Sequence, residues 1–291
     1  MVYDCFTFFN ELDLLELRLN ELDSVVDKFV LVEATKNHQG KEKPLYFSEN
    51  KKRFDNFLYK IIHVVVDSYP SNPENDAWVI ERHQRSSIMN GLKDCVPDDV
   101  ILVSDIDEIP RCSRVKEFIP KPGTKIFMQG MYYYYLNYMN STDLEGGKKK
   151  YSWAGTVMSS YNKMKDPQDL RDLSISFLPI NHPNVLVRTY LKTKLLIKKA
   201  SKNVTVIDDG GWHFSYMGGV QRVIKKLESF AHSEYNKPEF KDPGKIENAI
   251  REGKDIFGRD FIYRLVEIDE TYPGYLLKNR NKFGSYIISN K

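Results

Sequence analysis

VILVSDIDEIP, running from Val100 to Pro110, passes within a few residues from an unbroken apolar run to a knot of acids. Val100 to Val103 reads as a strand buried on both faces, the kind that builds parallel sheets. Ser104, Asp105, Asp107 and Glu108 then stand where that strand surfaces. In open α/β sheets, ligands bind at the carboxyl ends of such strands. The reading requires similar strands, separated by helices, earlier in the chain.

The preceding hundred residues supply them. Val2 to Phe9 is rich in aromatic and β-branched residues, and Lys28 to Ala34 (KFVLVEA) and Lys60 to Val66 (KIIHVVV) are apolar runs of strand length. Leu12, Leu15, Leu19 and Leu22 recur at helical spacing behind Asn10, which offers an N-cap with Asp13 in the first turn. Asn72-Pro73 is expected to open a helix through DAWVIERHQRSSIMNGL, with Pro73 at its first position. The alternation predicts an α/β fold around a largely parallel sheet covered on both faces.

After Pro110 the texture changes. The run Tyr132 to Tyr135 inside Lys125–Tyr138, the break at Gly146-Gly147 and the stretch TYLKTKLLIKK (Thr189 to Lys199) predict longer, antiparallel strands. From Gly219 the pattern is helical, with Val220, Val223, Ile224, Leu227 and Phe230 on one face and a second short helix over Ile246–Arg251. No repeat and no low-complexity linker divides the chain, so one domain over 1–218 with a helical extension over 219–291 is expected.

In an extended chain residues two apart share a side, so Asp105 and Asp107 are expected to project together. Two carboxylates that close repel unless a cation intervenes. Hard oxygen donors that leave coordination positions open suit Mg2+ or Mn2+ held jointly with a substrate phosphate. The plainer alternative pairs these acids with Arg111 and Arg114. A second candidate is IDDGGWHFSYMGG (Ile207 to Gly219), where His213 is a possible metal ligand and Asp208 or Asp209 a possible general base. Its plainer reading is a tight turn with Trp212 and Phe214 in the core. Arg82 and Arg85, three apart on one helix face, suit phosphates or simply pair with Glu81. Glu33, closing the second strand, suits a hydrogen bond from a base or ribose, or caps a loop.

Composition sets outer limits. Lys and Arg number 43 against 40 Asp and Glu, a net +3, so no global charge calls for nucleic acid. The runs Lys148-Lys149-Lys150 and Lys198-Lys199 read as solvated faces. With 41% hydrophobic and 29% charged residues the chain is of the globular class. Three cysteines, Cys5, Cys95 and Cys112, fit neither a disulfide framework nor a zinc motif. MVYDCFTFFNELD lacks the pattern of a signal peptide, and the long uncharged stretch Ile126 to Thr142 is too polar to span a membrane; a cytoplasmic protein is expected.

Taken in order, DCFTFFNELDLLELRLNEL (Asp4–Leu22), DKFVLVEAT (Asp27–Thr35), KPLYF (Lys43–Phe47), ERHQR (Glu81–Arg85), SDIDEIPR (Ser104–Arg111) and DDGGWHFSY (Asp208–Tyr216) resemble glycosyltransferase family 17. That is the family of the β-1,4-mannosyl-glycoprotein 4-β-N-acetylglucosaminyltransferases, and the likeness spreads over roughly residues 3 to 218. It implies a GT-A type fold, with a Rossmann-like nucleotide-sugar half over about 1–110 and an acceptor half over about 111–218. It further implies a UDP-GlcNAc donor, a divalent metal (Mn2+ or Mg2+), a glycan or glycoprotein acceptor, and inversion at the anomeric carbon. On that reading Asp105, Asp107 and His213 hold the metal, and Asn10, Glu33, Arg82, Arg85 and Asp105 line the nucleotide site. Asp209 is the expected base, with Asp208 and Glu108 behind it. Tyr132 to Tyr138, Trp153 and Trp212 either stack on sugars or, more plainly, fill the core. The chain departs from vertebrate members in lacking an N-terminal anchor and stem, so a bacterial or viral enzyme acting on another glycan is also expected. Two rivals use the same residues: a metal-dependent phosphohydrolase or phosphotransferase with Asp105 as nucleophile, and a non-catalytic glycan-binding module.

Overall fold

The structure, a computed structural model, describes residues 1–141, 151–178, 189, 193–194, 197 and 203–288. Four of the predicted strands form one parallel block: β1 (Val2–Phe8), β2 (Lys28–Ala34), β3 (Ile61–Val66) and β4 (Val100–Asp105), in the order β3-β2-β1-β4. Strand alternation sets the two faces. Phe6, Phe8, Leu31 and Leu102 point toward α1 (Leu12–Leu22), against Leu15, Leu19 and Leu22. Tyr3, Cys5, Val30, Val32, Ile101 and Val103 point the other way, toward Ile88, Leu92, Leu170 and Leu173. That second layer belongs to α3 (Ala77–Ser86) with the turn after it, and to α5 (Pro167–Ile175). Burying a large apolar side chain stabilises by about 1.5–3 kcal/mol, so the two faces together fix which strand residue looks at which helix.

Two helix starts differ from expectation. Asn10 is not the cap of α1: Glu11 precedes its first turn and accepts from the backbone N–H groups of Phe9 and Asn10, at 3.2 and 2.9 Å. Pro73 lies outside α3, which begins at Ala77 because the Asp76 carboxylate accepts from Trp78 N–H at 2.9 Å. A side-chain oxygen serves the unpaired first-turn donors better than a fixed proline φ.

The second half is antiparallel in the main. β6 (Thr124–Tyr133) pairs antiparallel with β8 (Trp153–Ser160) and β7 (Tyr138–Asn140), and β8 joins β4 antiparallel. Most of the Asp208–Tyr216 region is strand rather than a tight turn, with a bulge around Asp208–Gly210 where the register against β6 shifts and Tyr216 just past the strand end. That strand is β9 (Val204–Ser215), parallel to β6 and antiparallel to β5 (Glu108–Pro110). Tyr132, Tyr133, Tyr134 and Trp212 are buried, as the plainer reading expects. Two short helices follow their strands, α2 (Tyr46–Glu49) after β2 and α4 (Cys112–Phe118) after β5.

Beyond residue 218, α6 (Val220–Leu227), α7 (Pro243–Glu252) and α8 (Gly274–Lys278) are helices, while β10 (Tyr263–Leu265) pairs with β7 and so joins the sheet. The predicted break at Gly146-Gly147 and the two lysine runs lie outside the described residues. So does most of Thr189–Lys199, whose described members Thr189, Thr193, Lys194 and Ile197 are helical rather than extended. Among the described residues no helix is long and apolar enough to cross a membrane, and the three cysteines are free.

Candidate active site

The acidic stretch is shaped from behind by Arg18. This arginine of α1 is fully buried and forks onto Asp4, with Nε to Oδ2 at 2.7 Å and Nη2 to Oδ1 at 2.6 Å. Its Nη1 donates to the carbonyls of Asp105 (2.9 Å) and Glu108 (3.0 Å), and Nη2 to Ser104 Oγ (2.6 Å). The chain therefore turns at Ile106 and Asp107 instead of running straight on. Asp105 and Asp107 diverge, contrary to the expectation that they project together.

Asp105 shares the strand face of Ile101 and Val103, so it looks toward α3 and α5. Arg85 Nη2 meets its Oδ1 at 2.8 Å and Arg171 Nη2 its Oδ2 at 2.9 Å. Burial alone would raise the Asp105 carboxyl, but Arg171 and Arg85 outweigh it and hold it well below the usual carboxylate range. Both Asp105 oxygens thus meet guanidinium groups, where a free pair of carboxylates was expected, and Arg85 also pairs with Glu81 at 2.9 Å, as the plainer reading has it. Arg111 and Arg114 pair elsewhere, with Asp209 and Glu117. Arg82 is exposed and does not share the buried surroundings of Arg85.

Glu108 is buried as well. Arg171 Nη1 reaches both its oxygens, at 2.8 and 3.0 Å; Trp153 Nε1 donates to Oε1 at 2.7 Å and Asp105 N–H to Oε2 at 3.1 Å. Burial pushes its carboxyl up, against Arg171, with Asp105 and Asp107 adding to the rise. No oxygen is left to receive a proton from an acceptor. Glu33 is likewise inward: it accepts from Phe47 N–H (2.9 Å) and lies 3.1 Å from His63 Nε2, fastening α2 rather than meeting a ribose. Asn10 is half-buried at the end of β1.

Asp107 has different partners. Its carboxylate is 8% exposed, with Oδ2 2.8 Å from Lys226 Nζ and Oδ1 3.8 Å from His213 Nε2. His213 reaches this corner because β9 sets it opposite Glu108 in the β5 register. Trp153 stacks on the imidazole with centroids 4.4 Å apart. Burial pulls the His213 pKa down to about 4 despite Asp107, so the ring is neutral, and its Nδ1 has no hydrogen-bond partner among the described residues. A buried neutral imidazole and a carboxylate facing each other are a fitting pair of donors for a divalent ion. Asp105 does not join them, and no group of three His, Cys, Asp or Glu side chains among the described residues is arranged to hold a metal.

Asp208 and Asp209 are set apart from this corner. Asp209 sits where β9 shifts register against β6, with φ +52°, and its Oδ1 is 2.6 Å from Arg111 Nη2; Asp208 is exposed. The corner thus brings Asp107 within 3.8 Å of His213, and adds three residues that sequence reasoning missed: Arg18, Arg171 and Lys226. Asp4 carried a signal as a lone charge in an apolar strand, and Arg18 as the single basic residue of a helix whose other charges are acidic. Arg171 and Lys226 sit in ordinary polar surroundings and carried none.

The sequence pattern described as Glycosyltransferase family 17 matches residues 1–171, which include Arg18, Asp105, Asp107, Glu108, Trp153 and Arg171. Human and rat proteins named Beta-1,4-mannosyl-glycoprotein 4-beta-N-acetylglucosaminyltransferase are each 34% identical over 107 residues, covering 35% of this chain and 20% of theirs. The mouse protein of that name is 33% identical over the same length. The match therefore spans a fifth of the length of these relatives. Among solved structures, M. tuberculosis glucosyl-3-phosphoglycerate synthase covers 70% of this chain and 81% of its own, with a TM-score of 0.33 and 8% identity. On the family match over its first 171 residues, the chain belongs to glycosyltransferase family 17.

Proposed function

We propose that this chain moves a sugar from a nucleotide-sugar donor to a hydroxyl of a glycan or glycoprotein, with N-acetylglucosamine from UDP-GlcNAc as the group transferred and inversion at the anomeric carbon. The observation that carries the reading is the convergence of Asp107, His213 and Lys226 at the carboxyl end of β4 in a family 17 chain. In the reaction the acceptor oxygen forms a bond to the anomeric carbon while the bond from that carbon to the diphosphate oxygen breaks. The bonding pair leaves with the diphosphate, and the hydroxyl proton passes to a base.

Asp107 and His213 would hold a divalent ion, Mn2+ or Mg2+, which supplies Lewis-acid stabilisation of charge on the leaving diphosphate. The rest is done by the protein. Burial keeps His213 neutral, with its lone pair available. A chain of contacts aims the ring: Arg171 fixes Glu108, Glu108 fixes Trp153, and Trp153 stacks on His213. Such outer contacts fix the orientation of a ligating ring.

The test is a UDP-release and mass-shift assay with UDP-sugars and oligosaccharide acceptors in the presence of Mn2+. UDP-GlcNAc should be consumed with a matching gain of mass on the acceptor, and Asp107→Ala and His213→Ala should each abolish it. Full turnover by Asp107→Ala, or absence of both UDP binding and transfer in the unaltered chain, would sink the reading.

A further inference from the structure

We propose that Lys226 is a counter-ion of Asp107 and a binding residue for the donor diphosphate, its ammonium being handed from Asp107 to the phosphates when the donor arrives. The proposal rests on the reading of this corner as the donor site and deepens it.

Lys226 comes from the last turn of α6. Its Nζ lies 2.8 Å from Asp107 Oδ2, 3.4 Å from Ser215 Oγ and 4.9 Å over the Tyr216 ring. The lysine side chain is 29% exposed while the carboxylate beneath it is 8% exposed. Lys226 is therefore the more exposed partner of this ion pair. A divalent ion and Lys226 compete for the same carboxylate, and a doubly charged ion joined to a diphosphate gives the lysine a second anion to move to.

The neighbouring rim has the same character. Lys225 donates to Tyr46 Oη at 3.0 Å and lies 4.8 Å over the Tyr46 ring. Lys43 lies 5.5 Å over the same ring and 5.4 Å over Phe9. Tyr46 thus lies beside both Lys43 and Lys225, and Lys226 is the next residue along α6. Burial lowers the Lys43 pKa, and Lys225 adds to the fall while Glu33 opposes it. Crowded ammonium groups beside two aromatic rings suit an anionic, ring-bearing ligand such as a nucleoside diphosphate better than they suit water. A static ion pair would need only Lys226 and Asp107; it would not explain the basic, aromatic rim beside them.

The experiment is calorimetric binding of UDP and of uridine, each with Mn2+ and with a chelator, to the full chain and to Lys226→Met, Lys226→Gln and Lys226→Arg. Lys226→Gln keeps a hydrogen bond to Asp107 without the charge, so it guards against loss of folding in Lys226→Met. Losing a charge-assisted hydrogen bond should weaken UDP by about ten- to a hundredfold in both neutral variants, leave uridine unchanged, and be largely restored in Lys226→Arg. UDP affinity equal to that of the unaltered chain in folded Lys226→Gln overturns the role of Lys226 alone. An unaltered chain that binds neither UDP nor uridine overturns the donor-site reading as well.

Discussion

Arg18 and Asp4 form a two-pronged ion pair, 2.7 and 2.6 Å, in which neither side chain has any solvent exposure. The pair lies under the acidic stretch, and the third arm of the guanidinium holds the carbonyls of Asp105 and Glu108. One buried cation thus ties the first strand, the first helix and the turn that presents Asp107. The same contacts satisfy carbonyls that would otherwise be buried without donors.

Replacing Arg18 with methionine leaves Asp4 as an uncompensated buried charge, which costs about 3–5 kcal/mol. Chemical denaturation should show that loss. Asp4→Leu combined with Arg18→Met should recover part of it, because removing both charges ends the mismatch. It should not recover all of it, since the Asp105 and Glu108 carbonyls still lose their donor. A double variant as stable as the unaltered chain would show that the turn does not depend on Arg18.

Asp105→Ala should act on stability rather than on nucleotide affinity. It removes the anion that Arg85 and Arg171 share, though each keeps a second carboxylate, Glu81 and Glu108, so the loss should be smaller than at Arg18, about 1–3 kcal/mol, while the Asp107 side of the turn keeps its own partners. Thermal unfolding and UDP titration of the same preparation separate the two. A variant with unchanged Tm but no UDP binding would return Asp105 to the ligand site.

The parallel half was legible because its strands are uniform apolar runs and its leucines keep helical spacing. The end of β4 was legible only as a place. Period-two reasoning placed Asp105 and Asp107 on one side because it assumed an extended chain; the arginine that bends it comes from α1, far away in sequence. Partners such as Arg171 and Lys226 are chosen by packing between distant elements, and no local pattern records that. The Asp208–Gly211 stretch misled for a related reason. Its glycines look like a turn, but they allow close backbone approach at a bulge within β9.

Gly211 shows what that approach demands. Its φ is +136°, and a Cβ there would stand 2.2 Å from the Ile109 carbonyl oxygen and 2.8 Å from Arg111 N. Both are backbone atoms and cannot swing away. Gly211→Ala should therefore destabilise the fold by about 1–3 kcal/mol and loosen the β5–β9 register that sets His213 opposite Glu108. Transfer should fall by more than the folded fraction does, as shown by activity measured per folded molecule. Normal turnover per folded molecule would mean that His213 is positioned by other contacts.

The C-terminal segment should release first in acid. Glu16 of α1 receives Lys282, Tyr275 and Arg53, and Asp13 receives Tyr286 and Arg53. For Glu16, burial alone would raise the carboxyl, but Lys282, Tyr275 and Arg53 outweigh it and hold it below 4.5; Asp13 is held below 3.8, with Tyr286 and Arg53 overcoming its burial. Carboxyls lowered in the folded state contribute stability above their unfolded values and lose it as pH falls through the folded ones. The loss should thus begin as pH drops toward 4.5 and deepen below it. Glu16→Gln removes the titrating group, so its Tm should be lower at neutral pH and fall less steeply between pH of about 5 and 3. Parallel Tm-against-pH curves for the two proteins, measured by circular dichroism, would show that this cluster does not anchor residues 274–286 to α1.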